Sequence, residues 1–169
     1  MFPPGLLTPK GPTKAAPDNN APDMLWFDTC IHPDDVIDAK DHMPEYEYNV
    51  TGMKRIKKRD RIQLGTPVVV NEKAIALFRH GKRLFAIQQM CPHAGGNLAL
   101  GDIEEIDRML CISCPRHKWP FVLLSGDCLV TEDIRAEQYP IEVRKTNGLL
   151  SIFVGFTGLN QTLFYQDDF

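Results

Sequence analysis

From Ile62 to Phe156 the apolar residues come in short runs bounded by turn formers, and no stretch sustains a 3.6-residue period. Pro67-Val-Val-Val70 reads as a strand. Ala74–Phe78 and Leu84–Ile87 flank Arg79-His80-Gly81-Lys82-Arg83, which predicts a hairpin with a glycine-containing turn. His80 then falls at a hairpin tip, facing solvent. Ile141–Lys145 and Leu149–Phe153 surround Thr146-Asn147-Gly148. Asn-Gly is a strong hairpin signal, because both residues tolerate positive φ. In the first of these two runs Glu142 and Arg144 alternate with Ile141 and Val143, as in a half-buried strand. Together the runs predict an all-β fold, a small antiparallel sandwich or barrel.

The flanks read differently. Residues 1–22 hold Pro3, Pro4, Pro9, Pro12, Pro17 and Pro22 with Gly, Asn and Lys between. Such a stretch does not bury enough apolar surface to order itself, and it reads as a disordered, Pro-rich tail. Lys10 and Lys14 precede any acid, which keeps an organellar transit peptide open; the lack of arginine and of an amphipathic period speaks against one. Residues 23–60 form an N-terminal extension, in which Met24-Leu-Trp-Phe27 is a short strand or an aromatic plug. His32 and His42 sit among prolines and aspartates and read as solvated loop histidines rather than metal ligands. Lys54, Arg55, Lys57, Lys58, Arg59 and Arg61 form a basic run. It reads as a solvated hairpin arm, with docking of an acidic partner as the functional alternative. Residues 157–169 are a C-terminal tail.

At 169 residues the chain suits one domain with extensions. A formal net charge of −3 argues against a dedicated nucleic-acid binder. No run of about 18 apolar residues is present, so no transmembrane helix is expected. Five cysteines, an odd number without a secretory signal, do not suggest a disulfide framework. A cytoplasmic location follows as the expectation.

Two short pairs carry the chemistry. Cys91-Pro92-His93 is a C-x-H, and Cys114-Pro115-Arg116-His117 is a C-x-x-H. Zinc also takes Cys and His, but its signatures usually pair Cys with Cys and His with His. Cys111-x-x-Cys114 has that look. The wider context weighs against it: Cys91-Pro-His-Ala-Gly-Gly-Asn-Leu98, Gly101, Cys114-Pro-Arg-His-Lys-Trp-Pro-Phe121 and Ser125-Gly126. This stretch resembles the Rieske [2Fe–2S] domain, in its first loop, spacer, second loop and closing strand-turn. The resemblance implies a Rieske domain over residues 61–156, with an inserted cluster-binding subdomain at about 90–128. It implies Cys91, His93, Cys114 and His117 as ligands of a [2Fe–2S] cluster, the thiolates on an inner iron and the imidazoles on an outer one. Cys111, Cys128 and Cys30 are left as structural, small buried residues.

In the family's high-potential members each loop carries an extra Cys, and the two are joined. The matching positions here are Gly96 and Arg116, so no such bridge forms. The hydroxyls that those members place on the cluster sulfurs are also lacking after His117, where Lys118-Trp119-Pro120-Phe121 follows. Fewer hydrogen bonds to sulfur lower the potential, which puts it near the low end of the Rieske range, about −150 mV. Trp119 and Phe121 read first as core. Arg116 and Lys118 are candidates for tuning or docking, against surface solubility. The resemblance implies a soluble one-electron carrier, not itself an enzyme, serving a reductase and an oxygenase or other redox partner. The alternative is a redox or iron–sulfur sensor, or a small non-catalytic subunit like that of nitrite reductase. Length argues against an oxygenase α-subunit, which needs a further iron-binding domain.

Overall fold

The computed structural model describes residues 23–57 and 62–159. Among them there are twelve strands, three short 3-10 turns and no α-helix. The strands are β1 (Leu25–Asp28), β2 (Tyr46–Tyr48), β3 (Lys54–Ile56), β4 (Thr66–Val70), β5 (Lys73–His80) and β6 (Arg83–Gln88). They continue with β7 (Asp102–Ile106), β8 (Met109–Ser113), β9 (Pro120–Val122), β10 (Gln138–Tyr139), β11 (Ile141–Thr146) and β12 (Leu149–Phe156). All strand pairs are antiparallel. They form sheets in the orders β1-β12-β11, β10-β6-β5-β4, β2-β3 and β7-β8-β9.

The four-stranded sheet is the middle layer, and the burial of β5 shows it. Ile75 and Leu77 pack into a core with Ile152, Val154 and Phe156 of β12. Ala76 and Phe78, on the opposite face, pack with Leu98, Ile103, Ile112, Phe121 and Leu123. With both faces covered, β5 reads as a continuous apolar run rather than an alternating one. The second core also contains Cys91 and Cys114, so the two Cys–His loops are seated on the same sheet that anchors the rest of the chain.

Both predicted hairpins form. Asn147 and Gly148 have φ of 51° and 85° and join Thr146 to its partner Leu149, a two-residue turn. Gly81 and Lys82 join His80 to Arg83, and His80 is half-buried at the end of β5. The predicted alternation in β11 differs in one respect. Val143 is 43% exposed on this edge strand. Arg144 is half-buried instead, because its guanidinium lies 4.9 Å from the Trp26 ring and 5.0 Å from that of Phe153. A long cation covers apolar surface with its stem and its flat head.

The extension is woven into the sheets. β1 runs antiparallel to β12, Leu25 opposite Phe156 and Asp28 opposite Phe153. Phe27 meets Phe156 edge-on, with ring centroids 5.4 Å apart. Val36 and Ala39, from the turns at Pro33–Asp35 and Ala39–His42, are fully buried. His32 caps the first turn, its Nδ1 accepting from the Asp34 amide at 3.2 Å. In the basic arm, Arg55 pairs with Glu47 at 2.6 Å and Lys57 with Glu45 at 2.9 Å, across β2 and β3. This is the solvated hairpin arm expected. Lys58, Arg59 and Arg61 lie outside the described residues, as do the tail at 1–22 and residues 160–169 of the C-terminal tail.

Asp38 fastens the extension to the middle sheet. Its carboxylate accepts from the Gly81 amide at 2.8 Å and the Lys40 amide at 3.0 Å. The Gly81 amide, more than any other group, holds the Asp38 pKa below its ordinary value of 3.8. A depressed carboxylate pKa contributes stability above the unfolded value, and that stability is lost as pH falls through the folded one. Asp38→Ala is therefore expected to destabilise the fold by about 1–2 kcal/mol at neutral pH. In chemical denaturation the difference from wild type should shrink as pH falls below 3.8. A difference that does not change with pH would mean that the carboxylate charge plays no part.

Candidate metal centre

The two Cys–His loops share one backbone hydrogen-bond pattern. The first, residues 91–96, is closed by the bridge between Met90 and Asn97. The second, residues 114–119, is closed by the pairing of Ser113 with Pro120 at the ends of β8 and β9. In the first, the Cys91 amide donates to the Gly96 carbonyl at 2.8 Å and the Gly95 amide to the Cys91 carbonyl at 2.8 Å. In the second, the Cys114 amide donates to the Trp119 carbonyl at 2.9 Å and the Lys118 amide to the Cys114 carbonyl at 2.8 Å. Each loop starts Cys-Pro, and each turns through a left-handed residue four positions on. That residue is Gly95 at φ 67° in one and Lys118 at φ 58° in the other. Glycine adopts this conformation freely, whereas a lysine there is strained. Lys118 also reaches Asp102 at 3.3 Å.

This repeated shape brings the four motif residues together as two pairs. Cys91 and Cys114 are 3% and 0% exposed, and their side chains interact. Burial pushes the Cys91 thiol up, against the pull of the His93 and Ala94 amides, which are directed at its sulfur. The rings of His93 and His117 lie 5.0 Å apart, nearly perpendicular. They are not equivalent. His117 is exposed, while His93 is half-buried and stacked on Trp119 at 3.7 Å, with the ring planes 9° apart. The Nδ1 of His93 is buried and has no hydrogen-bond partner. An unpaired buried nitrogen costs about 1–3 kcal/mol, so it calls for a partner that the protein itself does not provide. Among the described residues no three His, Cys, Asp or Glu side chains group around a single ion.

Gly96 fits the same picture. A Cβ there would lie 2.6 Å from the Cys114 sulfur. The backbone of the first loop therefore passes directly against the sulfur of the second. Arg116 crosses the other way, its Nη1 donating to the Ala94 carbonyl at 2.7 Å. Behind the second loop, the Glu104 carboxylate bridges Tyr46 and Ser113, at 2.5 and 2.9 Å. That links the extension to the residue just before Cys114. Neither contact was visible in the sequence. Equal loop lengths and the repeated Cys-Pro were the available signals for the shared backbone.

The remaining cysteines divide. Cys111 and Cys128 are buried as expected, and burial pushes the Cys111 thiol up to about 11, which keeps it protonated and inert. Cys30 is exposed, contrary to the expectation of a buried residue. The chain turns there in a left-handed conformation at φ 58°, its amide held by Asp28 at 2.8 Å, and the side chain is left outside.

An all-β fold with two equivalent Cys-Pro loops, a buried thiol pair and a less buried imidazole pair defines a Rieske-type domain. The model of the soluble Rieske-type ferredoxin family matches residues 49–144, more than half of the chain, and the protein belongs to that family. A human Rieske domain-containing protein is 39% identical over 74 residues, which is 44% of this chain and 45% of the relative. The chain thus matches less than half the length of that relative. The ferredoxin subunit of anthranilate 1,2-dioxygenase from Burkholderia cepacia is 33% identical over 90 residues, 52% of this chain and 76% of that one. Among solved structures, the E. coli protein NirD shares the fold at 22% identity, with a TM-score of 0.55 over 79% of this chain and 98% of its own. Among the described residues no helix is long and apolar enough to cross a membrane.

Proposed function

We propose that the protein is a one-electron carrier in which Cys91, Cys114, His93 and His117 hold a [2Fe–2S] cluster. The observation that carries this reading is the partnerless buried Nδ1 of His93 beside a buried pair of thiols. Two sulfurs on one side and two imidazoles on the other suit two irons better than one zinc, whose four donors converge on a single point. When bound, the cluster supplies a site for one added electron. The protein's own groups do the rest. The His93 and Ala94 amides favour a negative sulfur on Cys91. Trp119 shields the His93 ring from water, and the exposed ring of His117 is the outlet to a partner.

Exposed Arg116 and Lys118 flank that outlet, which favours a partner with an acidic face. A reductase as donor and an oxygenase as acceptor fit this role, as the Burkholderia relative is the ferredoxin subunit of a dioxygenase. No substrate is transformed on this chain. A reducing compartment such as the cytosol suits its five unpaired cysteines. The likeness in fold to NirD keeps a second reading, a non-catalytic subunit of a reductase complex.

The test is protein purified anaerobically without added metal, assayed for iron and sulfide and then reduced by dithionite and reoxidised. Two irons per chain and repeated, reversible bleaching support the carrier, with a midpoint potential near the low end of the Rieske range, about −150 mV. Zinc in place of iron after attempted reconstitution would refute it. A cluster that cannot be cycled would favour the sensor or the structural subunit.

A further inference from the structure

The ligand loops touch at a second place besides the sulfurs. A Cβ on Gly96 would lie 3.1 Å from Cγ and 3.3 Å from Cδ of Arg116. The stem of Arg116 thus lies over the backbone of the first loop, and its head goes on to the Ala94 carbonyl at 2.7 Å. That carbonyl belongs to the Ala94–Gly95 peptide, whose N–H donates to the Cys91 carbonyl at 2.8 Å. One peptide is held at both ends, by its own loop through Cys91 and by the other loop through Arg116. The neighbouring amide, that of Ala94, points at the Cys91 sulfur. The held peptide is the one that directly follows this amide along the first loop.

We propose that Arg116 is a positioning residue that straps the second ligand loop onto the first by one charge-assisted hydrogen bond. The inference rests on the cluster reading given above. The stem of Arg116 lies against Gly96, so the strap spans the two loops at a point where they touch. Its two properties are separable. The hydrogen bond needs the reach and flat fork of a guanidinium, which a lysine does not reproduce. The positive charge acts through space, favours the more negative reduced state and raises the potential, and a lysine keeps it.

The test compares Arg116→Gln and Arg116→Lys with wild type, each as the full cluster-loaded chain, with circular dichroism to establish the fold. The readouts are the rate of cluster loss to an iron chelator and the midpoint potential. Arg116→Gln is expected to lose its cluster about tenfold faster, as for other residues that orient metal ligands, and to have a lower potential. Arg116→Lys is expected to lose it as fast while keeping a potential close to wild type. A glutamine variant that holds its cluster like wild type would overturn the strap, and so would a lysine variant that protects as well as arginine. Wild-type protein without iron would overturn the cluster reading and the strap with it. A loaded wild type with unchanged variants would overturn the strap alone.

Discussion

Gly96→Ala is expected to fold yet retain only a small fraction of the wild-type iron and sulfide. The added Cβ would lie 2.6 Å from the Cys114 sulfur, about an ångström inside ordinary contact. Neither side of that contact can give way easily. Gly96 is buried, and its carbonyl is fixed by the Cys91 amide. Cys114 is fully buried, and its own amide and carbonyl are both bonded within the second loop. Overpacking of this kind costs about 1–3 kcal/mol, which the fold can bear. The sulfur, however, must move, and a displaced thiolate is a poor ligand. Iron and sulfide analysis beside a thermal unfolding curve would separate the two effects. Wild-type loading would mean that the loops can part without loss.

Trp119→Ala is expected to raise the midpoint potential and to lower stability by about 2 kcal/mol, less than for a fully buried tryptophan. Trp119 is half-buried, packs on the core beneath the loops and covers one face of His93. Its removal admits water beside the more shielded of the two imidazoles. The reduced state carries one more negative charge than the oxidised state, and water stabilises the more highly charged form. The shift is therefore upward, opposite in sign to that expected for Arg116→Gln. Redox titration of the two variants side by side tests the signs. A fall in potential for Trp119→Ala would mean that stacking on His93 matters more than exclusion of water.

Much of this centre was legible because its chemistry is local. Cys91-Pro-His93 and Cys114-Pro-Arg-His117 are each contiguous, so both of the segments that meet in the fold stand out in the sequence. The Asn147-Gly148 hairpin was legible for the same reason. What stayed hidden depends on distance. Arg116 reading as a surface cation and Arg116 holding the Ala94 carbonyl differ only by a contact across 22 residues. Cys30 was expected to be buried because free cysteines usually are, and a left-handed turn overrode that preference. Val143 was assigned inward by its alternation with Glu142. Its place on an edge strand left it partly uncovered. Lys118 gave no sign of its left-handed backbone, since that conformation is imposed by the two hydrogen bonds that close its loop.

The pairing of β1 with β12 has a consequence for how the chain comes into being. Thr29 and Ile152, which bond across this pair, are separated by 123 positions. A ribosome adding roughly 5–20 residues per second needs on the order of ten seconds to cover that distance. During this interval Leu25, Trp26 and Phe27 have been made while their partner strand, β12, has not. The two Cys–His loops mature in the opposite way. Each closes between neighbouring segments, and the pairing of β7, β8 and β9 is complete within about twenty residues of synthesis. The two Cys–His loops are thus finished before the part that shuts the fold. The aromatic strand at the front stays without its partner until Phe156 emerges.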